Sequence, residues 1–557
     1  MKKRHYISIL IAIVIFISSI YFNIDTIAKA EKRIILEKEN TPISELITKE
    51  EQDAEQVAEL EKDTMVVKET NSYTNKELII VTITPIISSM CIIYLIFTST
   101  GKLSIKETLT NKKRLTYGTL TLVLLCTIAS TTNIIITDNK VLNSKNTINR
   151  NEKTVAILEI TKDKKTSNIK EESTKNETSV IQVSNQSKYT ATNIELNKTN
   201  GISTDKEISE YFGLNSAAIV KDSSTLELND SKISTNTEYS SAIFLTGLGT
   251  TATLNKVNLN TTNNYSHGIS ISEEANITAN KVELTTKGDS SSAIKTMDTN
   301  SSISLKDSTI TTEGINSPLL YSVGKIETSN IEGTSLKSEI AIINGANNIL
   351  IENSTLSTNA KSAFKIYKEI SHGSSNDYNL ADLTIKKSKI TINKESDNYQ
   401  TAPLFKVLNT KAKINITNST FKYGSNILLN ITSEDEYNPS EVTMTVTDQY
   451  LKGNIVSDEF SKVRLNLNNS TYKGRINKGN ISKNIDITFD ENSKWILTGT
   501  SYVNTLTVTK KDLNNVRKYI RSNGYNIYYN VKNNEWLNGR TITLIGGGKL
   551  IPKYYKS

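Results

Sequence analysis

Residues 215–239 read NSAAIVKDSSTLELNDSKISTNTEY, and residues 240–265 read SSAIFLTGLGTTATLNKVNLNTTNNY. Residues 266–290 read SHGISISEEANITANKVELTTKGDS, and residues 291–315 read SSAIKTMDTNSSISLKDSTITTEGI. Each line opens on small residues and an isoleucine: Ile219, Ile243, Ile269, Ile294. Two short runs of alternating apolar and polar residues follow. A period of roughly 24–26 residues that restarts in this way marks a solenoid whose rungs are single supersecondary units. Alternation inside each run makes the units strands with one face inward. Ile219, Ile243, Ile269 and Ile294 are therefore expected to form one inward ladder. The Ser, Thr and Asn between them, Thr286 included, are expected to face water.

Outward from this block the pattern continues with one recurring phrase. NDSKI ends at Ile233, KDSTI at Ile310, KKSKI at Ile390, TNSTF at Phe421 and NNSTY at Tyr472. Asn and Asp tolerate left-handed backbone angles, and Ser hydrogen-bonds nearby amides, so the phrase reads as a tight corner delivering an inward apolar residue. Parallel stacking needs no hairpin, and a right-handed crossover is the default for such coils. At about 4.8 Å per rung, ten to thirteen rungs would give a rod about 50–60 Å long. A short insert near 206–214 precedes the regular rungs. A longer excursion separates Phe364 from Leu404 and places KEISHGSSNDYN on a side loop.

The chain has 557 residues, 37% apolar and only 6% aromatic. That is lean for a compact globule and adequate for a narrow stacked core. A net charge of +8, dispersed along the chain, gives no basic stripe of the kind nucleic acid needs. Cys91 and Cys126 are the only cysteines, and both lie in apolar stretches, which excludes a disulfide framework or thiolate zinc site elsewhere. Three histidines, His5, His267 and His372, limit metal and acid–base chemistry.

The amino-terminal part reads as membrane-associated. Residues 1–30 are either a signal peptide or a first transmembrane anchor, with a basic start, an apolar run of about 17 residues and Ala28-Lys29-Ala30 behind it. Residues 78–137 form a transmembrane hairpin of two apolar stretches, each of about 20 residues. The loop between them carries Lys102, Lys106, Lys112, Lys113 and Arg114, which places it on the cytoplasmic side. Residues 31–77 then form an external acidic helical segment, and everything after about residue 137 is external. Residues 138–176 read as a polar tether, 177–492 as β-helix rungs, and 493–557 as an aromatic carboxy-terminal cap containing Trp495 and Trp536. The cap is expected to plug the last rung, because an open end exposes strand edges and core.

The rung phrases, with the ending WILTGTSYV and NGYNIYY, resemble secreted bacterial right-handed parallel β-helix proteins of the pectate-lyase-like superfold. The likeness is strongest to passenger-type adhesins and covers roughly residues 177–552. It implies an all-β, right-handed parallel β-helix behind an amino-terminal α-helical transmembrane region. It further implies a rod at the cell membrane, with its carboxy-terminal region extracellular, acting in adhesion or as a structural element of the envelope. Glycans and host or envelope proteins are the expected partners, and nucleic acid is not. Neither an outer-membrane barrel nor a sorting signal is visible at the end, so the amino-terminal helices are expected to supply the anchor.

The alternative is a polysaccharide-active lyase or hydrolase, since one superfold hosts both. Ser266-His267-Gly268 and Ser371-His372-Gly373 echo the histidine motif of such hydrolases, and Arg475-Ile476-Asn477 echoes their basic motif. No Asp-Asp pair accompanies them, and an inverting mechanism needs two suitably spaced carboxyls. Glu273, Glu274 and Asp289 are scattered and read as solvated. His267 reads as a corner residue. The sequence therefore assigns no catalytic, cofactor-binding or metal-ligating residue, and no cofactor.

Overall fold

A computed structural model describes residues 154–554, apart from 205, 369–379, 510, 512 and 514–515. The chain divides into two units, 1–151 and 152–557, and the second is a right-handed parallel β-solenoid of about 15 turns. The three apolar stretches of the first unit lie outside the described residues. Among the described residues, no helix is long and apolar enough to cross a membrane.

Each coil contributes a strand to up to three parallel faces. The first face holds twelve strands, from Val155–Ile160 and Thr178–Val183 through Ile269–Ser272 to Asn454–Ser457. The second face begins at Lys164–Ser167 and the third at Lys170–Ser173. In two coils a single strand, Thr225–Thr235 or Thr251–Thr261, bends through the corner from second face to third. The first coil thus forms within the stretch read as a tether. The run Val155–Ile160 lacks the strict alternation of the later rungs, yet Val155, Ala156, Leu158, Glu159 and Ile160 pair in register with Thr178–Val183. This extra coil, and others past residue 493, raise the count above the ten to thirteen rungs expected.

The recurring phrase does form the corner. Asp230, Asp307, Lys387, Asn418 and Asn469 have φ between 46° and 50°. The serine after each is buried and donates to the carbonyl two residues back, as in Ser308 Oγ to Lys306 (2.6 Å) and Ser388 Oγ to Lys386 (2.7 Å). The same oxygen accepts an amide from the coil before: Ser354 N donates to Ser388 Oγ, and Ser388 N to Ser419 Oγ, each at 3.1 Å. The short side chain thereby satisfies an amide that the sharp bend removes from the sheet ladder, and it adds a second donor to a carbonyl that already accepts from the coil before, as Lys386 does from Asn353 N.

The isoleucine ladder differs from expectation by one residue at its start. Ala218, Ile243, Ile269, Ile294 and Leu320 pair in register and point inward. Ile219 pairs with Phe244 in the outward row, although both are buried. Thr286 also differs. It pairs with Thr261 and Thr312, is buried, and donates its hydroxyl to the Ser291 carbonyl at 2.5 Å. Thr235 and Thr261 do the same toward Ser240 and Ser266. A threonine ends this inward row because its hydroxyl can pair a turn carbonyl that a wholly apolar side chain would leave bare.

Candidate functional site

The insert before the regular rungs folds as a seven-residue helix, α1 (Lys206–Phe212). It ends at Gly213, whose left-handed φ of +67° stops the helix and whose amide bonds back to Ser209. A Cβ at Gly213 would sit 2.3 Å from the Phe244 ring. α1 therefore ends directly on the outward row of the first face, and Ser272 Oγ donates to the Tyr211 carbonyl at 3.1 Å.

Seating α1 there brings together three ionisable groups far apart in sequence. Glu210 Oε1 accepts from Lys295 Nζ and lies 3.1 Å from His267 Nε2. His267 stands at the start of one first-face strand and Lys295 in the next. Glu210 and His267 are buried, and the Lys295 side chain keeps 16% of its exposure. The backbone N–H of Ser292 donates to His267 Nδ1 at 3.0 Å. That contact makes Nδ1 an acceptor and leaves the proton of the neutral ring on Nε2, facing Glu210. Lys295 Nζ and His267 Nε2, 3.3 Å apart, are then both donors converging on one carboxylate.

The electrostatics follow from burial and this convergence. Burial raises the Glu210 carboxyl, but Lys295 and His267 outweigh it and bring it down to about 2. Burial, reinforced by the Lys295 charge, holds His267 below its ordinary value. Burial lowers Lys295, but Glu210 overcomes this and the ammonium ends above its ordinary value. The cluster at neutral pH is a carboxylate–ammonium pair with a neutral imidazole. A carboxylate held so low is a weak base and cannot serve as an acid near neutrality, where proton transfer needs a group poised close to the working pH. The geometry suits a latch that fixes α1 on the solenoid.

The outward row of the first face runs on beyond the latch. In register it reads Ser270, Lys295, Tyr321, Ile342, Lys365, Lys406 and Asn430. Lys295 lies 5.6 Å from the Tyr321 ring centroid and Lys365 4.5 Å from that of Tyr367. The Tyr321 and Tyr367 hydroxyls are 3.2 Å apart. These cation–ring contacts hold the ammonium groups in one band along the strand face.

The other candidates are dispersed. Eight coils separate the strand of His267 from Ile476, roughly 40 Å at about 4.8 Å per coil. Arg475-Ile476-Asn477 therefore cannot complete a site with His267; Ile476 is core, and Asn477 is a buried turn residue with φ of +52°. His372 lies outside the described residues. Glu273 and Glu274 occupy a left-handed turn, and Asp289 Oδ1 accepts from the Ile315 amide at 2.6 Å. Trp495 is fully buried, near the Tyr472 ring, and Trp536 is partly buried with Nε1 donating to the Leu506 carbonyl. Among the described residues no group of three His, Cys, Asp or Glu could hold a metal ion.

The sequence offered His267 only as a motif echo, read as a corner residue, and gave neither Glu210 nor Lys295. A signal did exist for Lys295, which breaks the otherwise uncharged openings SSAIF, SHGIS and SSAIK of three successive rungs. Glu210 carried none beyond its place in an insert. No family model, curated protein or solved structure matches the chain.

Proposed function

We propose that this chain is a membrane-anchored, externally displayed interaction rod of the adhesin-like kind, and that the first face is its contact surface. The observation carrying this reading is the outward row in which Lys365 and Lys406 stand in adjacent coils beyond Tyr321 with no acid in register, Lys295 being paired with Glu210. Elsewhere the outward positions mix charges, as in the pairs Lys188–Glu227, Lys325–Glu327 and Lys462–Glu441. A polymer lying along the solenoid axis meets the Tyr321 ring and then two ammonium groups in adjacent coils, which suits an anionic glycan of the cell envelope. The apolar segments at 1–30 and 78–137, with basic residues on their expected cytoplasmic flanks, support the anchored and external placement.

Co-sedimentation of the full chain with polygalacturonate and with dextran tests the contact surface. Retention on the anionic polymer alone, lost in Lys365→Glu/Lys406→Glu, is the expected result, and equal retention on both polymers would refute it. Release of unsaturated or reducing ends during the incubation would instead establish the polysaccharide-active alternative. Added protease should remove the solenoid from intact cells or spheroplasts; full protection of residues 154–554 would contradict the external placement.

A further inference from the structure

Between two neighbouring coils the solenoid is open on its third face while the second stays paired. On the second face, Lys411–Thr417 pairs along its whole length with Glu441–Thr447. On the third face of the same two coils, Thr420–Lys422 pairs only with Lys389–Thr391, and Tyr450–Lys452 only with Thr471–Lys473. Two strands one coil apart thus face each other across an open gap and belong to separate sheets.

A residue change accounts for the break. The corner position held by Ser388, Ser419 and Ser470 is Gln449 in this coil. Its longer amide accepts from Ser419 N (2.6 Å) and donates to the carbonyls of Ser419 (2.5 Å) and Tyr450 (2.9 Å). It takes the place of ladder bonds while holding the corner apart. At the far end the Tyr423 hydroxyl donates to the Lys452 carbonyl and props the second corner. The cleft between encloses about 700 Å³, within the range of ligand sites.

Its lining differs from the rest of the surface. Phe421 continues the inward row of Leu356 and Ile390, which are fully buried, yet it is only partly buried because the gap opens onto it. Lys394, Lys422 and Lys452 stand exposed on the rim beside the exposed Tyr450. One acid, Asp448, accepts from Asn469 Nδ2 at 2.7 Å. Apolar floor, basic rim and two facing strand edges are features that an extended polypeptide matches at once. Gln449 and Tyr423 already hold both backbone groups of Ser419 and the carbonyls of Tyr450 and Lys452, so the edge left for an added segment is centred on Phe421, with alternate side chains of that segment pointing to floor and rim.

We propose that this break is a docking cleft for an extended acidic polypeptide segment. The segment adds in extended form along the part of the edges that Gln449 and Tyr423 leave open, seats an apolar side chain on Phe421 and places its carboxylates among the three lysines. The inference is independent of the first-face reading. The probe is a labelled peptide, acetyl-Glu-Val-Glu-Val-Glu-Val-Glu-amide, titrated with the full chain by fluorescence anisotropy. Saturable binding is expected. It should weaken by about tenfold or more when alternate amides of the peptide are methylated, when Lys replaces Glu in it, or in Lys422→Glu/Lys452→Glu. Gln449→Ser restores the corner residue of neighbouring coils, so it should fold, close the gap and lose binding to the same extent. Absence of saturable binding up to millimolar peptide would overturn the proposal. So would equal affinity for the methylated peptide, or polygalacturonate binding that Gln449→Ser abolishes while peptide binding persists.

Discussion

Replacing Glu210 by Gln keeps the size of the side chain and removes the charge on which Lys295 and His267 converge. Breaking a buried ion pair from one side costs about 3–5 kcal/mol, because the remaining charge is left uncompensated. Lys295 retains 16% side-chain exposure, so its freed ammonium can reach solvent, and the lower end, about 3 kcal/mol, applies here. The loss falls on the docking of α1. Ser209 Oγ, Glu210 Oε2, Asn215 Oδ1 and Ser216 Oγ are buried there without hydrogen-bond partners among the described residues. A seat carrying that many unsatisfied polar atoms opens more readily than the stacked core. About 3 kcal/mol corresponds to a rise of roughly 150-fold in local opening. Hydrogen exchange of the full chain reads this directly. The amides of 208–213 should exchange roughly 150-fold faster, while those of Ile269–Ser272 and Ile294–Thr296 change by less than about threefold. Lys295→Met in the same chain should recover part of the loss, with a coupling of about 1.5 kcal/mol or more. Exchange in α1 within about threefold of the parent, or strict additivity of the two substitutions, would show that the cluster is not a latch.

Acidification should open α1 before it affects the rungs. His267 is held below its ordinary value, so as pH falls below about 6.5 the open form takes up a proton that the closed form refuses, and docking weakens by up to about 1.4 kcal/mol per pH unit. Glu210, brought down to about 2, adds a second loss below about pH 4.5, while the contribution of Lys295 disappears only well above pH 10. Exchange measured from pH 4 to pH 9 checks the sign, and a slope between about pH 4.5 and pH 6.5 that survives in His267→Gln would refute the assignment. Ile269→Asp and Thr286→Asp should each lower the stability of the solenoid by more than about 3 kcal/mol in urea unfolding, because both positions are buried. Thr285→Asp, on the half-exposed side of the same strand, should stay within about 0.5 kcal/mol; equal effects at 285 and 286 would reverse the register. Ser388→Ala should cost about 1–3 kcal/mol, since it strands the buried Ser354 amide, and an unchanged urea midpoint would contradict that role.

The solenoid was legible in the sequence because its determinants are local and repeat. Alternation within a run decides which side chains point inward, and a left-handed Asn or Asp followed by Ser decides where the chain turns; the φ values at Asp230, Asp307, Asn418 and Asn469 match that reading. Stacking then copies each decision into the next coil. What repetition could not specify is where it is interrupted. Ile219 follows the pattern of Ile243 in sequence, but Ala218 takes the inward place and α1 supplies a cover for the outward row. Thr286 looks like a surface threonine until the corner beside it presents a carbonyl to be paired. Glu210 and Lys295 are 85 residues apart, and only the docking of the insert makes them partners. The break at Gln449 likewise depends on a side chain spanning two coils, a distance that the linear pattern does not contain. Period, corners and core therefore belong to the sequence alone. The latch, the open cleft and the basic row between them were decided by tertiary structure, because each arises where one coil meets something other than its own repeat.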